Sequence, residues 1–215
     1  MKKITIAFLA GCFALITGCE WIGVRGNGHI VTDQRPVEEF SEIHSTGLID
    51  VEWRAGAPAL SITTDENLIP EIESRNIGSY LELHTRERLR PTHRIKVVAS
   101  SSQRTGAKLT GAGDLNVPAL AGEKFAVQSS GAADVTLDGA VGELLADMSG
   151  ACDLKARALQ ARSVQISITG AGSAEVNAAD TLRVAITGAG DVTYSGNPKT
   201  VEKHISGAGS VRHKD

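Results

Sequence analysis

The chain has 215 residues, 22 Lys and Arg against 25 Asp and Glu, a net charge of −3, and 41% hydrophobic but only 4% aromatic side chains. Both charge signs are interspersed, so there is no basic stripe of the kind nucleic acid demands, and DNA and RNA are set aside as partners. The 3 cysteines are Cys12, Cys19 and Cys152, which leaves no pair for a disulfide framework once the amino-terminal segment is removed.

Residues 1–18 read as a lipoprotein signal peptide. Lys2 and Lys3 make a positive start, and Ile4 to Ile16 is an apolar stretch too short to stay as a membrane span. The stretch ends in Ile16-Thr17-Gly18-Cys19, which resembles a bacterial lipobox, so Cys19 is the expected lipidation site. Several acyl chains on one cysteine, at about 0.8 kcal/mol per buried CH₂, tether the protein to a membrane. Residues 19–28 then form the lipidated start and a short tether. Glu20 stands where an Asp would signal inner-membrane retention, which favours the outer membrane of a Gram-negative cell. Loss of Lys2 and Lys3 leaves a mature net charge of about −5.

The remaining chain, 29–213, is read as one domain with an irregular part (29–105) and a repetitive part (106–213). In the first part His29–Val37, Ile43–Trp53, Leu60–Thr64, Tyr80–Thr85 and Arg94–Ala99 alternate apolar and polar residues as strands do. Asp65 to Arg75 is expected as a short helix or loop broken by Pro70, with Asp65 as its N-cap. Arg86, Arg88, Arg90 and Arg94, with His84 and His93 among them, form the one local basic cluster. It is the place to look for contact with an acidic polysaccharide or lipid headgroup, although solvated strand faces produce such runs too.

The repetitive part is organised around glycines. Gly47, Gly111, Gly131, Gly150, Gly170, Gly188 and Gly207 each follow Ser or Thr, and from Gly111 they step by 20, 19, 20, 18 and 19 residues. Three residues after each glycine stands Asp50, Asp114, Asp134, Asp153, Ser173, Asp191 or Ser210. Apolar residues at every second position before the glycine (Val164, Ile166, Ile168) and after it (Val192, Tyr194) give strand, bend, strand. A looser stretch, such as Pro118–Lys124, closes each circuit. Coils of about 19 residues stacked about 4.8 Å apart predict an all-β fold, a right-handed parallel β-helix. A hairpin sandwich needs a turn signal every 8–12 residues or so, and only Asp138-Gly139 qualifies.

The acidic position is read as turn capping. Stacked carboxylates about 5 Å apart in water repel by roughly 0.8 kcal/mol per neighbour, which an exposed edge tolerates. A calcium column or a catalytic carboxylate pair are the alternatives. Ser173 and Ser210 argue against both, since serine keeps the acceptor and loses the charge. No catalytic residue, metal ligand or cofactor motif is assigned. Cys152 sits where other repeats have Gly or Ala, as a small buried thiol would.

Phe40-Ser41-Glu42-Ile43, Gly47…Asp50-Val51, Leu60-Ser61-Ile62 and Asp65-Glu66-Asn67-Leu68, followed by the Ser/Thr-Gly-Ala ladder, resemble the head GIN domain of autotransporter-type adhesins. The resemblance covers about residues 29–213. It implies a right-handed β-helical domain, exported and often lipid-anchored, without enzymatic activity. The expectation is therefore a cell-envelope binding or scaffold module. Its partners would be the membrane through the lipid, a polysaccharide or an envelope protein, and oligomers are open to it through exposed coil edges. A polysaccharide-cleaving enzyme and a periplasmic partner in envelope maintenance are the competing readings.

Overall fold

A computed structural model describes residues 23–214; the signal peptide, Cys19 and the first residues of the tether lie outside them. The N-terminal third contributes β1 (Val24–Arg25), β2 (Ile30–Arg35), β3 (Glu42–Gly47), β4 (Ile49–Ala55) and β5 (Ala59–Asp65). A 3-10 turn over Glu66–Glu71 leads to β6 (Ile72–Ile77), β7 (Tyr80–Thr85), β8 (Leu89–Arg90) and β9 (Ile95–Ser101). The coils begin with β10 (Gly106–Gly111) and continue as β11 (Leu115–Gly131), β12 (Asp134–Gly150), β13 (Asp153–Gly170) and β14 (Ser173–Gly188). They close with β15 (Asp191–Ser195), β16 (Thr200–Gly207) and β17 (Ser210–His213).

From β10 onward every pairing is parallel and like faces like: Gly47, Gly111, Gly131, Gly150, Gly170, Gly188 and Gly207 form one column. The result is a parallel β-solenoid of about 5 turns. The glycine column has a steric cause. Gly170 has φ 127°, and a Cβ there would lie 2.5 Å from the carbonyl oxygen of Gly150 one coil below. The left-handed conformation and the close stack each exclude a side chain.

Alternation fills the interior. Val51, Leu115, Val135, Leu154, Ala174 and Val192 are stacked and buried, and so are Ile43, Ala107, Val127, Ala146, Ile166 and Val184. Burying a Leu, Ile or Val contributes roughly 1.5–3 kcal/mol each, so the stack is held by its core and its ladders rather than by a disulfide. Cys152 is buried, its Sγ 3.1 Å from Ser129 Oγ. The stretches expected to be loose between strands are strand as well. The chain stays paired around that corner through register shifts at Val117/Leu120, Thr136/Gly139 and Ala156/Gln160. Gly139 (φ 118°) makes a corner of a coil, in parallel with Leu120 and Leu159, and not a hairpin.

The N-terminal third differs. β2 pairs with β5, β5 with β9, and β6 with β7, all antiparallel, while β3 and β4 feed their residues into the parallel stack. This layer covers the first coil with the chain's bulkiest side chains. Trp53 stacks on Phe40 (ring centroids 5.8 Å) and tilts against Phe125 (6.3 Å), and its indole N–H donates to Ser101 Oγ at 2.9 Å. Aromatic pairs of this kind add about 0.5–1.5 kcal/mol beyond their buried area.

Two expectations for this third need correction. The segment after Asp65 is a 3-10 turn with Pro70 inside it, and then a strand, β6, which pairs with β7. Asp65 does not cap that turn. Its buried carboxylate accepts from the Gly28 N–H (2.7 Å), the Thr92 N–H (2.9 Å) and the Thr92 hydroxyl (2.7 Å). Burial pushes the Asp65 carboxyl up, but the donors from Thr92 and Gly28 outweigh it and hold the group below its ordinary value.

Arg104 is the second buried charge. It donates to the carbonyls of Trp53 (3.2 Å), Pro118 (2.7 Å) and Ala119 (2.6 Å) and so ties β4 to the corner of the next coil. Burial pushes its guanidinium down, partly offset by Asp138. Ala119 needs the brace: its φ is 49°, and its N–H donates to Asp138 Oδ1 at 2.7 Å.

Candidate functional site

A solenoid offers its outward columns as surfaces, and the polar columns on either side of the bend run the length of this one. After each bend stands the acidic column. Asp153 faces Asp134 and Ser173, and Asp191 faces Ser173 and Ser210. The carboxylates bond between coils and not within a turn. Asp50 Oδ1 accepts the Asp114 N–H (3.2 Å), Asp114 Oδ1 the Asp134 N–H (3.3 Å) and Asp153 Oδ1 the Ser173 N–H (3.1 Å). The serines donate in the same direction, Ser173 Oγ to Asp153 at 2.6 Å and Ser210 Oγ to Asp191 at 2.5 Å.

Two cations also reach the column. Arg94 Nη1 bridges Asp50 (2.9 Å) and Asp114 (2.8 Å), and Lys155 Nζ sits 2.6 Å from Asp134. Asp50 first, then Asp114, pushes the Arg94 guanidinium up, and the bond to Asp134 does the same for Lys155. These two cations reduce the like-charge repulsion along Asp50, Asp114 and Asp134, while Ser173 and Ser210 interrupt the column further on. Among the described residues no group of three or more His, Cys, Asp or Glu is arranged to hold a metal ion.

Before each bend stands the second column, Thr46, Thr110, Ser130, Ser149, Thr169, Thr187 and Ser206, paired coil to coil and exposed in every copy. Hydroxyls beside a turn commonly form hydrogen bonds to its backbone. These side chains form none among the described residues, and each bend is instead tied to the one below it by backbone: Ala132 N–H to Gly111 O (2.9 Å), Ala171 N–H to Gly150 O (2.9 Å) and Ala208 N–H to Gly188 O (2.8 Å).

Beside the hydroxyl ladder runs a mixed column, His44, Lys108, Gln128, Asp147, Ser167, Ala185 and His204. At its start His44 stacks on Tyr80, ring centroids 4.1 Å apart. Shallow depressions open where the column is interrupted by small or short residues. One of about 200 Å³ lies over Lys108, Gln128, Ser130 and Asp147. Another, of about 410 Å³, lies over Gln165, Ser167, Arg183, Ala185 and His204.

The four arginines singled out from the sequence do not share one set of partners. Arg94 belongs to the acidic column. Arg86 pairs with Glu73 on β6, and that bond, the largest influence, lowers the carboxyl of Glu73 while Arg75 and His84 reinforce it. Arg88 and Arg90 offer their backbone carbonyls to the incoming chain, accepting the Val24 N–H (2.9 Å) and the Gly26 N–H (3.0 Å). Arg104 was not distinguishable in the sequence: an arginine bound only to carbonyls has no charged partner to mark it.

The architecture is similar to that of solved bacterial structures. A protein described as a putative adhesin from Bacteroides fragilis superposes with a TM-score of 0.72 at 21% identity, covering 89% of this chain and 100% of its own. One with the same description from Parabacteroides merdae gives a TM-score of 0.62 at 23% identity, covering 90% and 100%. At such identities the likeness is one of fold. A search of curated proteins finds no match to this chain. The sequence profile of the family described as "Putative auto-transporter adhesin, head GIN domain" matches residues 39–198, well over half of the chain, and the chain belongs to that family.

Proposed function

We propose that this protein is a lipid-anchored, non-enzymatic binding module of the cell envelope, attached through Cys19 to the outer membrane. Its contact surface in this reading is the hydroxyl ladder from Thr46 to Ser206 with the mixed column beside it. One observation supports the choice: the hydroxyls recur in every copy and are exposed, yet no side-chain bond among the described residues uses them. Strand preference favours Thr but not Ser130, Ser149 and Ser206, so what every coil keeps is the hydroxyl, and that suits a partner outside the chain. Hydroxyls repeated about every 4.8 Å, with amide, carboxylate and imidazole groups alongside, suit an extended polar polymer such as a polysaccharide better than a compact ligand.

The acidic column is a poorer choice of contact surface, because Arg94, Lys155 and the coil-to-coil bonds already occupy it. Binding of the purified domain to an array of envelope and host glycans tests the reading. Alanine at Thr110, Ser149 and Thr187 together should abolish glycan binding while leaving the thermal midpoint within a few degrees of the parent. Unchanged binding by that variant would remove the ladder from consideration, and turnover of any uronate-containing glycan would overturn the non-enzymatic reading. Protease shaving of intact cells separates a surface role, in which the domain is cut, from a periplasmic one.

A further inference from the structure

The residue that follows each bend glycine forms a column of its own: Leu48, then Ala112, Ala132, Ala151, Ala171, Ala189 and Ala208. Alanine suffices at six of these corners, since the position contributes only a backbone N–H to the coil below. The first corner instead carries a leucine that is 53% exposed. Leu48 rims an open apolar depression of about 330 Å³ whose floor includes Leu89, Pro91, Ile95 and Ala112, with Arg88 at its edge. A single exposed leucine is ordinary on a protein surface; here it extends the apolar lining of the depression out into solvent.

The same corner is where the chain joins the fold. β1 runs parallel to β8, pairing Val24 with Leu89 and Arg25 with Arg90, so the start of the described chain lies against the edge of the depression. Cys19 is four residues before Gly23. An extended chain spans at most about 3.6 Å per residue, so a lipid on Cys19 holds this corner within about 14 Å of the bilayer surface. Arg25 and Arg88 are both exposed there and form no side-chain bond or ion pair among the described residues, in contrast to Arg86 and Arg94.

We infer that the Leu48 corner is a membrane-docking surface: Leu48 enters the interfacial region of the bilayer, and Arg25 and Arg88 engage the phosphates of anionic lipid headgroups. The inference rests on the lipid-anchored reading for its geometry. The surface itself is weak, one leucine and two arginines, and it acts because the tether raises the local concentration of lipid around it. Its consequence is orientation. With the first coil held on the membrane, the solenoid axis projects away from the bilayer and the hydroxyl ladder stands clear of it.

The test couples Cys19 of the mature chain chemically to a maleimide lipid, which supplies the tether whether or not a cell acylates that cysteine. The vesicles contain phosphatidylcholine alone or with phosphatidylglycerol, together with a diazirine-bearing phospholipid, and crosslinked peptides are mapped by mass. Labelling should concentrate on peptides covering Leu48 and Arg88–Pro91 over those covering Ala189 and Ala208, and more so with phosphatidylglycerol. Each of Arg25→Glu and Arg88→Glu should lower that enrichment about fivefold on the anionic vesicles, and Leu48→Asp should abolish it. Even labelling along the coils, or labelling indifferent to all three substitutions, overturns the docking surface. Absence of acyl mass on Cys19 in cell-derived protein would instead sink only the natural anchor, and the coupled vesicles would still report on the surface.

Discussion

The two ends of the solenoid solve the same problem differently. Any stack of coils leaves an apolar cross-section and unpaired strand edges at each end. The N-terminal end is closed by structure: an antiparallel layer, a Phe40–Trp53–Phe125 cluster and two buried charges, Asp65 and Arg104, each satisfied by several partners. The C-terminal end is closed by substitution. β16 is exposed along its whole length, with Val201 at 36% and Ile205 at 40%. In the core column that runs Ile43, Ala107, Val127, Ala146, Ile166, Val184, the last coil has Lys203. Its ammonium reaches over the Tyr194 ring (5.5 Å) to the Val211 carbonyl (3.3 Å). His213 ends the neighbouring inward column after Val176 and Tyr194, its ring 4.9 Å from that tyrosine. An inward-pointing charge on a terminal coil opposes the addition of another coil, because any added coil would bury it. One end therefore spends many residues on a lid, and the other needs two.

The comparison is open to experiment, and the largest effect is expected in the middle. Gly170→Val should destabilise by more than about 4 kcal/mol, enough to unfold or aggregate the protein. Gly47 has the same kind of backbone (φ 111°), but a Cβ there meets only Thr85 Oγ1 at 3.7 Å. Alanine at Gly47 should therefore be distinctly milder than alanine at Gly170 in urea titrations, and equal losses would show that conformation alone, not the stack, excludes side chains.

Asp65→Asn tests the N-terminal lid. At neutral pH it should lose about 1–3 kcal/mol, because an amide cannot accept all three donors without presenting its own N–H groups to them. The folded-state value of Asp65 is depressed, so its contribution is complete above the unfolded-state value near 3.9 and is lost as pH falls through the lower folded value. Parent and variant should accordingly converge in stability at strongly acid pH. A gap that persists there would mean the loss is one of packing rather than charge.

Lys203→Ile tests the other end. It completes the core column, should leave the monomer about as stable as before, and should promote end-to-end association seen as larger species in sedimentation at high concentration. A variant that sediments like the parent would refute Lys203 as a stop. The smallest effect belongs to Asp153→Ser. A serine there still accepts from Ser173, so the change should stay within about 0.5 kcal/mol and be indifferent to calcium.

How far each region was legible follows from how it is built. Parallel in-register stacking repeats one environment in every coil, so the glycine bend, the inward alternation and the acidic position were each written several times over in the sequence. The lid is written once. β6 was hidden behind Pro70 and the acidic run before it, where local signals pointed to a turn. Asp65 carried the signature of a helix cap, yet its carboxylate is held by Gly28 and Thr92, 37 and 27 residues away. The arginine cluster looked continuous in sequence and was divided by the fold between Glu73 on β6 and Asp50 with Asp114 on the acidic column.

From the sequence alone came the period, the bend and the choice of parallel coils over hairpins, because these depend on sterics and alternation within about 19 residues. Which hydroxyls and carboxylates have partners, how both ends are closed, and that Leu48 stands exposed beside the incoming chain were decided only in three dimensions. The reason is physical: those properties depend on what one coil meets in the next, and the partners are brought together by the stack and not by the chain.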